Sequence, residues 1–227
     1  MFDLKETIRR RGFLGSLAAS TALGMAGLVA PRSLTAAPRS PSPEGDAGFE
    51  AWLGRIKGKH KQVFDSPNSP TGFAFAWTRV FQMTNASVGV ADKDMTAVLI
   101  LRHDSIPWGM ESGLWTKYQF GETFKINDPK TKMAAMGNGI WKPAEPLPLP
   151  GMALDELLAS GALVGLCDMA LTFYSKHVGE TMKMDPAEVK KDWVAGLFPG
   201  IQIVPSGVLA VNRAQEHGCT YCYAGEG

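Results

Sequence analysis

One run of seven residues, Met95–Leu101 (MTAVLIL), is apolar almost throughout and has the length of a β-strand. A strand with apolar residues on both faces is typical of a parallel sheet that helices cover on both sides. Strand-like segments also occur at 59–64, 162–166, 201–204 and 219–223, and segments with helical periodicity separate them. This alternation predicts an α/β fold of three layers, α/β/α, with a mostly parallel sheet of about five strands.

Helices are predicted at 72–85, at 105–120 in part, and at 152–160, 170–178, 185–197 and 208–216. In the first of these helices, Phe73, Trp77 and Met83 belong to the predicted apolar face. The segment 121–150 contains Asn-Asp-Pro, Gly-Asn-Gly and several prolines. Such residues favour turns, so we expect an irregular insertion here.

The N-terminus has the order of charged, apolar and small residues that is typical of an export signal. Arg10 and Arg11 precede Gly-Phe-Leu and an uncharged stretch at 13–30, an arrangement that resembles the twin-arginine motif. We therefore expect an export signal at 1–37, a flexible linker at 38–48 and a single domain at 49–227. The expected location is periplasmic or otherwise exported, with the twin-arginine translocation machinery as a partner. An uncleaved anchor helix is the alternative.

Composition excludes some classes of function. The net charge is +1, which gives no electrostatic support for nucleic-acid binding. Cys219 and Cys222 form a C-x-x-C pair, but they fall on a predicted strand that would separate them by about 10 Å. Neither a disulfide nor a metal site is predicted there, and the sequence indicates no cofactor. Packing is predicted for four tryptophans: Trp77, Trp108, Trp115 and Trp141.

Ligands of open α/β sheets bind beyond the carboxyl ends of the strands. Polar residues follow four of the predicted strands, and the substrate-binding candidates are Asp65, Arg102, His103 and Ser206. Turn or capping roles are the alternative for Asp65 and Ser206, and a role in holding a loop is the alternative for His103.

Cys167 is the catalytic candidate, because it stands between a predicted strand and a predicted helix. Backbone amides at a helix start favour a thiolate, whereas the neighbouring carboxylate of Asp168 opposes it. A buried structural cysteine is the alternative.

The segment LVGLCDMAL, preceded by MALDELLASG, resembles the active-cysteine segment of the DsrE/DsrF-like sulfur-relay family. The segment IQIVPSGVLAVNRAQEHGCTY resembles the closing strand, helix and strand of that family, and exported members resemble the chain most. The resemblance implies a doubly wound fold, a homo-oligomer and a persulfide on Cys167. The chain would then be a sulfur carrier or sulfurtransferase that a sulfur donor loads.

Two alternatives remain open. A non-catalytic module on the same fold, for small-molecule binding or assembly, is favoured if Cys167 is buried without an adjoining cavity. A thiol-disulfide oxidoreductase would depend on Cys219 and Cys222 alone.

Overall fold

The computed structural model describes residues 43–226. Its centre is a five-stranded sheet in the order β4-β3-β2-β1-β5, in which every pair of neighbouring strands is parallel. The strands are β1 (His60–Ser66), β2 (Met95–Leu101), β3 (Leu163–Cys167), β4 (Ile201–Val204) and β5 (Thr220–Tyr223). The predicted parallel α/β/α fold is therefore confirmed.

Helices cover both faces of this sheet. They are α1 (Pro43–Leu53), α2 (Phe73–Ser87), α3 (Ser112–Lys117), α4 (Phe120–Thr123), α5 (Leu154–Ala159), α6 (Asp168–Met182), α7 (Pro186–Ala195) and α8 (Gly207–Glu216). Two short 3-10 helices, Asp92–Asp94 and His103–Gly109, flank β2. Helices α1 and α8 bury one face of the sheet, and α2 and α5 to α7 bury the other.

Strand β2 shows why the continuous apolar run is diagnostic. Leu99 and Leu101 pack into the larger core, while Val98 and Ile100 pack into the core under α1 and α8. In β3, a Cβ on Gly165 would lie 3.2 Å from the ring of Trp52. A side chain there would crowd α1, so this close packing favours glycine.

The predicted apolar face of α2 is wrong in part. Phe73 is 51% exposed and Trp77 46% exposed, whereas Thr78 and Gln82 are buried. The two polar side chains can be buried because Thr78 donates to the carbonyl of Ala74 and Gln82 donates to the hydroxyl of Ser160. Small and hydrogen-bonded residues therefore share the buried face with Phe75, in place of Phe73 and Trp77.

The segment 121–150 is largely irregular, and polar contacts order it. The amide of Asn138 donates to the carbonyls of Trp108 and Met110, at 2.9 Å each. Trp141 stacks on Phe198 with a ring separation of 4.1 Å. The insertion therefore packs against the end of the 3-10 helix after β2 and against the segment after α7.

At the N-terminal side, α1 begins at Pro43, so the last part of the predicted linker is helical. The predicted export signal, with Arg10 and Arg11, lies outside the described residues. No helix within residues 43–226 is long and apolar enough to cross a membrane.

Candidate functional site

Asp65, Arg102 and Cys167 lie at the carboxyl ends of, or just beyond, three adjacent strands: β1, β2 and β3. Arg102 donates from Nε and Nη2 to the carboxylate of Asp65, at 2.6 and 2.9 Å. Asp65 is 4% exposed. The bidentate arginine compensates the charge of the buried carboxylate, so the pair fixes both side chains at this edge.

Tyr221 of β5 completes this cluster, and its hydroxyl donates to Asp65 at 3.0 Å. Burial raises the pKa of Tyr221, and the hydrogen bond to Asp65 raises it further. The phenol therefore remains protonated and serves as a donor. The sequence does not predict this role, because the position of β5 beside β1 is not visible in the chain order.

The start of α8 holds the stem of Arg102. A Cβ on Gly207 would lie 2.5 Å from the Cβ of Arg102, a distance that real Cβ atoms do not reach. Glycine at this position lets the helix approach the arginine side chain. The guanidinium is therefore constrained by packing as well as by Asp65.

Cys167 ends β3 and is the N-cap residue of α6. Its Sγ accepts a hydrogen bond from the backbone N–H of Ala170 at 3.3 Å, and the residue is 5% exposed. The hydrogen bond to Asp65 raises the pKa of Arg102, and a thiolate at Cys167 would raise it further. The helix amide and the guanidinium thus place two sources of positive potential near the sulfur.

His103 belongs to a different set of contacts. Its side chain is 61% exposed and lies 3.3 Å from the hydroxyl of Tyr174 and 3.1 Å from the carboxylate of Asp104. The hydroxyl of Tyr174 also donates to Asp104. These contacts agree with the loop-holding alternative for His103.

Ser206 is the N-cap residue of α8. Its hydroxyl accepts the N–H of Leu209 at 3.1 Å. This contact agrees with the capping alternative for Ser206.

The remaining cysteines lie on opposite faces of the sheet. Cys219 belongs to the core under α8, whereas Cys222 packs against the other core, and both are free thiols. Burial raises the pKa of Cys219 to about 11 and also raises the pKa of Cys222. Both therefore remain protonated near neutral pH. Within the part of the chain that the structure describes, no three His, Cys, Asp or Glu residues are grouped as a metal site.

Two cavities lie away from this edge of the sheet. One, of about 450 Å³, is lined by Arg79, Asp92, Ser160 and other residues near the beginning of β2 and β3. The other, of about 520 Å³, is lined by residues between 142 and 156. Cys167 lines neither cavity. The burial of Cys167 favours the alternative that the domain is a module for small-molecule binding or assembly.

The chain is a parallel α/β protein in which a cysteine caps a helix at the carboxyl edge of the sheet. A cluster of hydrogen-bonded charged residues lies at the same edge. No family model, curated protein or solved structure matches the chain. The resemblance to the DsrE/DsrF-like family remains a prediction.

Proposed function

We propose that the domain is a DsrE-like sulfur carrier in which Cys167 accepts a sulfane sulfur as a persulfide. The observation that supports this most is the hydrogen bond from the N–H of Ala170 to the Sγ of Cys167. An N-terminal helix amide stabilises the thiolate, which is the nucleophilic form of cysteine. The other two cysteines have no comparable stabilisation, because burial raises the pKa of each.

The proposed loading step needs no external oxidant. The thiolate of Cys167 attacks the terminal sulfur of a hydropolysulfide, and the bond between that sulfur and the next one breaks. The electron pair leaves with the shortened polysulfide, and the proton stays on the new Cys167–S–SH group. The sulfur transferred is already at the oxidation level of the persulfide.

The burial of Cys167 restricts the donor. Because Cys167 is only 5% exposed, a donor reaches its sulfur after a local opening at the start of α6. The sulfur donor is therefore proposed to be a small polysulfide or a partner that presents a single sulfur atom.

We also propose that the chain is exported by the twin-arginine machinery, on the strength of Arg10, Arg11 and the uncharged stretch after them. The family resemblance supports a homo-oligomer.

A second candidate function is a non-catalytic module for small-molecule binding or assembly. The burial of Cys167 and the location of both cavities away from it favour this candidate. In that case Cys167 acts as an N-cap residue alone.

Polysulfide treatment of the folded protein separates the two candidates. After digestion and mass spectrometry, the carrier proposal predicts one added sulfur atom on the peptide that contains Cys167. The variant Cys219→Ser/Cys222→Ser should load as the wild type does, and Cys167→Ser should not load. Absence of added sulfur on Cys167, with the protein folded, contradicts the carrier proposal and supports the binding module.

A further inference from the structure

The residue after Cys167 carries a negative charge into the first turn of α6. Asp168 is directly adjacent to the cysteine, and its side chain is 24% exposed. A carboxylate so close disfavours the thiolate and opposes the effect of the helix amides. A reactive Cys167 therefore requires this charge to be compensated.

Lys190 of α7 provides such compensation. Its Nζ lies 2.5 Å from the carboxylate of Asp168 and donates to the hydroxyl of Thr172 at 2.8 Å. The Lys190 side chain is 27% exposed, so solvent screens this ion pair less than a fully exposed pair. The lysine thus joins α7 to the first turn of α6, the turn that donates the Ala170 N–H to Cys167.

Charged groups from the other elements near this edge are largely paired among themselves. Arg102, after β2, is paired with Asp65 of β1, which also accepts from Tyr221 of β5. His103 and Asp104, in the 3-10 helix after β2, contact each other and Tyr174 of α6. The ion pair between Lys190 and Asp168 joins α7 to the start of α6.

We propose that Lys190 is a positioning residue for Cys167, which acts by neutralising Asp168 at the start of α6. This inference rests on the proposed role of Cys167 as a reactive thiol. Helix α7 then contributes a residue that affects Cys167, which neither the chain order nor the positions of the strand ends reveal.

The chain offers a matched control on the same helix. Lys191 follows Lys190, its side chain is 76% exposed, and it pairs with Glu188 at 3.3 Å. Replacing it removes one positive charge from α7 without changing the contact with Asp168.

The experiment measures the alkylation rate of Cys167 in the folded protein over a pH series. The variants are Lys190→Met, Lys190→Arg, Asp168→Asn, the double variant Asp168→Asn/Lys190→Met, and Lys191→Met. We expect Lys190→Met to slow alkylation at neutral pH by about three- to tenfold and to move the midpoint of the profile upward. Asp168→Asn should accelerate the reaction, and the double variant and Lys190→Arg should resemble the wild type, as should Lys191→Met.

The double variant distinguishes charge compensation from a structural role. If it reacts as slowly as Lys190→Met, or if Lys190→Met reacts as the wild type does, the proposal is wrong. Polysulfide loading of the wild type is scored separately. If the alkylation rates of the variants change as expected but Cys167 gains no sulfur, the carrier function is wrong and the role of Lys190 stands. If Cys167 is not alkylated in the folded protein, both proposals are wrong.

Discussion

The guanidinium of Arg102 forms two hydrogen bonds with the carboxylate of Asp65, across the neighbouring strands β1 and β2. The pair lies at the edge where Cys167 ends β3, and Tyr221 donates to the same carboxylate. This cluster therefore holds the Arg102 guanidinium in place and has a structural role as well.

Replacing Arg102 with methionine should lower the free energy of unfolding by about 3 kcal/mol, because a buried carboxylate would lose its charged partner. Urea denaturation measures the change. The double variant Asp65→Asn/Arg102→Met should recover part of the loss, since no buried charge is then left unpaired. Arg213→Met, which removes an exposed arginine, should change the stability little. Wild-type stability of Arg102→Met would contradict the account of this pair.

Glu226 caps a helix that is distant in sequence. Its carboxylate accepts from the hydroxyl of Ser69 at 2.6 Å and from the N–H of Phe73 at 3.1 Å, at the start of α2. Glu226→Ala should cost about 1–2 kcal/mol, as the loss of a helix N-cap does. It should also accelerate hydrogen exchange at the amide of Phe73.

Glu216→Ala is the control for this prediction, because Glu216 is an exposed residue at the end of α8. Unchanged exchange at Phe73 in Glu226→Ala would show that the C-terminal segment does not stabilise α2.

Cys219 should make stability depend on alkaline pH. Burial raises its pKa from 9.0 to about 11, so the folded state holds this proton more tightly than the unfolded state. Its contribution to the free energy of unfolding is complete below pH 9 and decreases as the pH rises toward 11. The stability difference between the wild type and Cys219→Ala should shrink over that interval. A constant difference would mean that the thiol ionises as readily in the folded as in the unfolded state.

Replacing Arg10 and Arg11 by lysine should keep the folded protein in the cytoplasm, because the twin-arginine pathway recognises the arginine pair. Cell fractionation and immunoblotting measure the distribution. Arg9→Lys, which leaves the pair intact, should be exported normally. Normal export of the double variant would exclude the twin-arginine prediction.

The sequence predicts the strands best where their pattern is local. The bounds of β2 and β4 agree with the prediction, because a continuous apolar run defines the first and Pro-Gly and Pro-Ser-Gly turns enclose the second. The buried side of α2 is not predicted, since it depends on hydrogen bonds that bury Thr78 and Gln82.

The rule for strand ends finds part of the site. It brings Asp65, Arg102 and Cys167 to neighbouring strands, whereas His103 and Ser206 have local contacts. Tyr221 meets Asp65, and Lys190 meets Asp168, only through tertiary packing. A lysine on a helix face and a tyrosine on a terminal strand carry no local pattern that marks such roles.

Alkylation in the native state shows whether Cys167 is a reactive thiol in the folded protein. The folded protein is treated with iodoacetamide over a pH series, and mass spectrometry measures the rate at each of its three cysteines. We expect Cys167 to react fastest, and to do so at a pH at which the raised pKa values keep Cys219 and Cys222 protonated. Labelling of Cys167 only after unfolding would contradict the account and leave it as an N-cap residue of α6.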